Sequence, residues 1–144
     1  MSRENVETVR RAWEAWKRRD MTALFEFYAS DIVWDMTHTD VPDRGVYHGH
    51  DGVKKFFQEW AFEPFDEYYA HAEMFWDAGS QVVVQVRQGG RGKGSGAPVE
   101  MARVWQVYEL REGKAVRVAA YAVEREALEA AGLPPHQRGL SQSG

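Results

Sequence analysis

The chain contains no cysteine, which removes disulfides, thiolate metal sites and cysteine nucleophiles together and fits a reducing compartment. It also lacks any long apolar run, and its opening, Met1-Ser-Arg-Glu-Asn-Val-Glu, is polar, so neither membrane insertion nor secretion is expected and a cytoplasmic location is. Positive charge is in short supply: 18 Lys and Arg face 22 Asp and Glu, for a net charge of -4. Nothing in that balance calls for nucleic acid or an anionic membrane as a partner. Ser80, Ser95, Ser141 and Ser143 do not sit in a nucleophile-elbow context, which leaves serine catalysis without support. Aromatic residues, by contrast, are plentiful at 13%, with six Trp, six Tyr and seven Phe. Rings bury large areas, so they imply either a bulky core or an aromatic-lined pocket.

One domain is expected from 144 residues, spanning 1–133, with a mobile tail over 134–144 that opens at Pro134-Pro135. Val6, Val9, Trp13 and Trp16 recur at spacings of three and four, which predicts an amphipathic helix opening after a Ser2 cap. Asp20 caps a second helix whose Met21, Leu24, Phe25 and Tyr28 share a face. Asp31 to Thr37 alternates as a strand, with Ile32, Trp34 and Met36 on its apolar side. His38 to His50 is a loop punctuated by Pro42, Gly45 and Gly49, and a third helix follows with Val53, Phe56, Phe57 and Trp60 on one face. Strands are expected over 67–77 and 81–88, joined at Ala78-Gly79, with Val82, Val84 and Val86 toward the helices. The glycine-rich stretch Gly89–Gly96 predicts a flexible connection rather than a phosphate cradle, since Lys93 is followed by Gly94 where a P-loop needs Ser or Thr.

The strongest strand signal is the hairpin from Val99 to Val123, turning at Arg111-Glu-Gly-Lys114, with a short helix after it that Gly132 stops. Simple alternation along its first strand puts Met101, Arg103, Trp105 and Val107 on one face and Val104, Tyr108 and Leu110 on the other. Helices first, one interrupting helix, then four consecutive strands predict an α+β fold on an antiparallel sheet.

Several segments resemble the nuclear-transport-factor-2-like superfamily and its SnoaL-like branch, whose relatives include ketosteroid isomerases and polyketide cyclases. They are Asp20-Met-Thr-Ala-Leu-Phe-Glu-Phe-Tyr-Ala-Ser-Asp31, Ile32-Val-Trp34, Gly45-Val-Tyr-His-Gly49, Gly52-Val-Lys-Lys-Phe-Phe57, Ala102-Arg-Val-Trp105, Glu112-Gly-Lys114 and Val116-Arg-Val118. The likeness covers nearly everything from Val6 to Leu133. It implies a cone: a curved sheet around a pocket that the helices close, with the outer sheet face available for homodimerisation through Val104, Tyr108 and Leu110. It also implies that Trp13, Trp16, Trp34, Met36, Phe57 and Trp60 line the pocket, with Val84, Met101, Trp105 and Val107 on the sheet side.

Ketosteroid isomerases use an Asp base with a Tyr and a protonated Asp as oxyanion donors. In an ungapped comparison those positions fall on Met36, Ala12 and Trp105, so that mechanism is not expected. His38 and Arg103 are the candidates that remain, as proton-transfer group and anion or oxyanion stabiliser. His48 and His50 with His38, Asp40 and Asp43 match no established ligand spacing, so no metal is expected, and no cofactor. Two readings follow. One is a cofactor-free isomerase, cyclase, dehydratase or hydrolase acting on a small, largely apolar molecule; the other is a non-catalytic dimeric module that binds such a molecule or a protein partner.

Overall fold

The computed structural model describes residues 2–40 and 45–141, with the Ser2 side chain, and hence its expected cap, outside the described residues. Helix α1 (Ser2–Lys17) buries Val6, Val9 and Trp16 as its spacing predicts, together with Ala12 and Ala15 between them. Arg19 turns the corner at φ 58, a left-handed conformation that an L side chain rarely adopts. Its guanidinium offsets the strain by donating to the Trp16 and Tyr68 carbonyls, each at 2.9 Å, while stacking on the Trp16 ring. Helix α2 (Met21–Phe27) is capped by Asp20, whose carboxylate accepts from the Ala23 amide at 3.1 Å. Tyr28, expected on that helix, instead opens strand β1 (Tyr28–His38).

Strand β2 (Val46–His48) lies within the expected loop and pairs with β1, and α3 (Gly49–Phe57) continues through a π-helical turn over Gln58–Phe62. Then come β3 (Phe65–Ala78), β4 (Gln81–Gly92), β5 (Pro98–Glu100), β6 (Val104–Arg111) and β7 (Lys114–Tyr121), followed by helix α4 (Glu124–Ala130) and β8 (Leu140–Ser141). The strand order is β2-β1-β7-β6-β4-β3-β8, with β5 off this path on β4. The sheet is mixed rather than antiparallel, because β1 runs parallel to β7. Local alternation shows that β1 is a strand, but only the helical crossing between distant segments decides its direction.

Two stretches depart from the expected pattern for physical reasons. The glycines at 89, 90 and 92 belong to β4, not to a loose connection. A Cβ on Gly89 would lie 2.3 Å from the Val99 carbonyl oxygen and 2.6 Å from the Tyr69 hydroxyl, so glycine is what allows β5 and Tyr69 to close on this strand. The strand expected from Val99 to Leu110 breaks at Met101–Arg103, and β6 restarts with the opposite phase. Val104, Gln106 and Tyr108 pair with Val86, Val84 and Val82 and share their inward face, while Trp105 and Val107 pair with Gln85 and Val83 and face outward. Val104, Tyr108 and Leu110, expected to meet a second chain, are therefore inside the main core.

That core fills the space between the sheet and α1, α2 and α3, around Val9, Ile32, Phe75 and Val118. A smaller core sits on the outer face, where Ala127, Leu128 and Ala131 at the C-terminal helix cover Trp76, Val83 and Val107. Residues 134–141 lie against the body. Trp76 Nε1 donates to the Gln137 carbonyl at 2.7 Å, Gly139 packs on the same indole, and β8 pairs with Met74 and Phe75.

Candidate functional site

The inner face of the sheet and the three N-terminal helices enclose a cavity, of which about 90 Å³ is open to the centres of water-sized molecules. Helix α1 contributes Ala12, Trp13 and Trp16, and α2 contributes Leu24 and Phe27. Strand β1 adds Tyr28, Trp34 and Met36; α3 and its π turn add Phe56, Phe57, Trp60 and Ala61. The sheet closes the far wall with Tyr68, Ala70, Val86 and Gln88, and with Met101, Val104, Gln106, Tyr108 and Ala120.

Ring contacts run through this lining as a chain: Tyr68 to Trp16 at 6.1 Å, Trp16 to Phe57 at 5.6 Å, Phe57 to Trp34 at 5.7 Å, and Trp34 to Tyr28 at 5.8 Å. Most are tilted or edge-on, the arrangement that the ring quadrupoles favour. Trp60 is fixed at its far end by donating to the Tyr47 hydroxyl at 2.9 Å. Tyr68 is aimed by a bulge in β3 between Asp66 and Tyr69, where Glu67 takes φ 53.

Among the described residues, no Asp, Glu, His, Lys or Arg lines the cavity. The polar groups are phenols, amides and indoles. Tyr68 donates to Gln88 Oε1 at 2.8 Å, and Tyr108 donates to Gln106 Oε1 at 2.5 Å. Burial pushes the phenols of Tyr68 and Tyr108 above the usual tyrosine range, and burial together with the neighbouring Tyr108 does the same to Tyr28. All three are neutral hydroxyls at any ordinary pH. The indole N–H groups of Trp13 and Trp34 are buried without a hydrogen bond of good geometry, although Trp13 lies close enough to Tyr108 to oppose part of that upward push.

Trp13, Trp16, Trp34, Met36, Phe57, Trp60 and Met101 of the expected lining are at the cavity. Val84, Trp105 and Val107 are not: Val84 is packed within the core, and Trp105 and Val107 point out of the cone because the break at Met101–Arg103 inverts the strand. Neither candidate catalytic residue is there either. Arg103 is on the outer surface, where its guanidinium donates twice to Glu73, at 2.6 and 3.3 Å, and holds that carboxyl below its usual value. His38 is also outside, stacked on Tyr121 at 4.5 Å with Nε2 at 3.5 Å from Asp35 Oδ2. The two cannot act together across the cavity.

The outer face does hold a buried acid. Asp35 is 6% exposed, and its Oδ2 accepts from Arg117 at 2.6 Å while Oδ1 accepts from the Thr37 amide and hydroxyl at 2.8 and 2.6 Å. Burial alone would raise its pKa, yet the Thr37 and Arg117 hydrogen bonds outweigh that and leave it below the ordinary carboxylate value. Among the described residues no three His, Cys, Asp or Glu side chains converge on a metal-sized site, and Asp43, weighed above as a ligand, lies outside them.

Tyr28, Tyr68, Tyr108, Gln88 and Gln106 were not legible as site residues from local pattern. One signal pointed to two of them: Val82, Val84 and Val86 face the helices, so whatever pairs across from them in an unbulged ladder faces inward too.

Comparison with known proteins agrees with this geometry. No functionally curated protein matches the sequence. Among solved structures, TerC co-crystallised with polyporic acid superposes with a TM-score of 0.67 at 19% identity, over 81% of this chain and 88% of that one. A nuclear-transport-factor-2-like protein of unknown function from Burkholderia pseudomallei gives 0.68 at 24% identity, over 87% and 95%. A protein with a ketosteroid isomerase-like fold from Catenulispora acidiphila, in complex with trimethylamine, gives 0.64 at 18% identity, over 92% and 97%. At such identities the likeness is one of fold. The sequence itself matches the SnoaL-like domain over residues 9–118, and with the cone and its cavity in place the chain belongs to the SnoaL-like family.

Proposed function

We propose that this protein binds a small, neutral, largely apolar molecule inside the cone. The observation that carries the reading is the lining itself: among the described residues, a chain of aromatic rings with no acid, base or cation among them, interrupted by uncharged hydrogen-bonding groups. Such a lining stabilises a ligand by excluding water from rings and orients it with few polar contacts. Among the described residues it contains no group poised to take a proton near neutral pH, which favours binding over acid–base catalysis. The relatives crystallised with polyporic acid and with trimethylamine support a small-molecule role for the fold. The reading invokes no metal and no cofactor.

The test is titration with N-phenyl-1-naphthylamine, a neutral apolar fluorophore, against the wild-type protein and the Ala12→Trp variant, which fills the cavity from α1. Saturable 1:1 fluorescence enhancement that disappears in Ala12→Trp is the expected result. Absence of saturable binding to the wild type would sink the proposal.

A homodimer is proposed through a different surface from the one the sequence suggested. Trp105 and Tyr121 pair across β6 and β7 on the outer face, and both are only partly buried beside α4. Sedimentation equilibrium at micromolar concentration should give twice the chain mass of 16.5 kDa; a monomeric mass would refute this contact.

A further inference from the structure

The wall of the cavity is not equally fixed all round. Trp16 and Trp34 are 7% and 3% exposed and are locked among other rings, Trp16 against Phe57, Phe62 and Tyr68, and Trp34 against Tyr28, Phe56 and Phe57. Trp60 lines the same cavity but is only partly buried, so it borders both the interior and solvent. Among the described residues it stacks on no other ring, and its one side-chain hydrogen bond runs from Nε1 to the Tyr47 hydroxyl at 2.9 Å.

The backbone beneath Trp60 is pinned, whereas its side chain is not. Trp60 sits in the π-helical turn, which the Glu63 amide closes by donating to the Gln58 carbonyl at 2.9 Å. Residues five apart line up along such a turn, and Phe57 and Phe62 both pack on the Trp16 ring, at 5.6 and 6.2 Å. The turn is therefore anchored on one indole at both ends, with Trp60 between the anchors. Tyr47 is fixed as firmly. It pairs with Trp34 across β2 and β1, its ring meets Phe56 at 5.2 Å, and a Cβ on Gly52 would lie 3.3 Å from its carbonyl carbon, so α3 rests directly on it.

We infer that Trp60 is a gate on the cavity, that the Tyr47 hydroxyl positions it shut, and that a ligand passes when the indole leaves Tyr47 and turns about its own side-chain torsions. The inference rests on the small-molecule binding proposed above and adds how the molecule enters and leaves. Opening is cheap: both partners of the bond are partly exposed, so water meets them once they part, and the cost is about one net hydrogen bond instead of an orphaned buried group. The bond closes over the empty and the filled cavity alike. It therefore governs the rates of entry and exit and leaves the affinity to the rest of the lining.

Stopped-flow mixing of N-phenyl-1-naphthylamine with the wild type, Tyr47→Phe, Trp60→Phe and the double variant reads this directly. Tyr47→Phe should raise the association and dissociation rate constants together, by about fivefold for the loss of one net hydrogen bond, with Kd unchanged within about twofold. Trp60→Phe, which lacks the N–H, should accelerate both rates as well, and it tests the gate alone if Tyr47→Phe does not fold. Adding Tyr47→Phe to Trp60→Phe should change neither rate further, a dependence on the indole that general loosening of the fold would not show. Unchanged rates in the single variants would overturn the inference and make Trp60 a fixed wall. Faster dissociation with a matching loss of affinity would overturn it too, since Tyr47 would then be stabilising the bound molecule. An equal acceleration by Tyr47→Phe in the Trp60→Phe background would overturn the positioning role of Tyr47. In each of these cases the fluorophore still binds and the cavity reading stands; absence of saturable binding to the wild type would overturn both.

Discussion

Asp35 is the residue whose protonation the fold controls most directly. Its folded pKa is below the ordinary carboxylate value, so the stability it contributes is fully present above that ordinary value and is lost as pH falls through the folded one. Replacing it with Asn is expected to destabilise the protein by about 1 to 3 kcal/mol at pH 7, since the amide keeps only one of the two acceptor oxygens that Arg117 and Thr37 share and loses the charge that pairs with Arg117. The urea midpoints of wild type and Asp35→Asn should converge as pH falls through the folded value; a gap independent of pH would show that the carboxylate charge is not what matters. Arg103 makes the opposite case. It is half exposed and paired with Glu73 on the surface, so Arg103→Ala should change stability by less than about 1 kcal/mol. Neither that variant nor His38→Ala should alter fluorophore binding, because neither side chain reaches the cavity.

At the scale of elements, the outer face of the sheet is organised by α4 and by the segment behind it. Leu128 is fully buried there against Trp76, Val83 and Val107. Leu128→Ala should cost about 2 to 5 kcal/mol by thermal or urea denaturation, as expected for a core leucine that leaves a cavity. Truncation after Leu133 should be destabilising as well, by about 1 to 2 kcal/mol, because it uncovers the Trp76 indole and leaves its N–H without the Gln137 carbonyl. A truncated chain as stable as the full one would show that residues 134–141 merely rest on the body. The glycines of β4 are a further element-scale constraint. Gly89→Ala forces the Val99 backbone or the Tyr69 hydroxyl to move and should destabilise by about 1 to 3 kcal/mol, in contrast to an equivalent change at an open loop position such as Gly45.

For the molecule as a whole, the cone separates two chemistries. Inside are rings and neutral donors; outside are ion pairs, among them Asp35 with Arg117 and Glu73 with Arg103 and Arg87. A polar exterior beside a partly buried Trp105–Tyr121 pair suits association of two copies, and the mass measurement above decides it. The sheet is the divider, so a one-residue shift in any strand moves a side chain from one environment to the other.

That sensitivity explains how much could be seen in the chain alone. The helix stripe of Val6, Val9 and Trp16, the inward Ile32, Trp34 and Met36, and the inward Val82, Val84 and Val86 were legible because local periodicity determines which side of an element is apolar. Together with the family resemblance they determined an α+β cone and about a third of its cavity lining. The tertiary structure decided the rest. The interruption at Met101–Arg103, the bulge at Glu67 and the parallel pairing of β1 with β7 all depend on partners far away in sequence, and each reassigns residues between inside and outside. Arg103 and Trp105 went out and Gln106 and Tyr108 came in for that reason: alternation is a local property, but its phase is set by the strand next door.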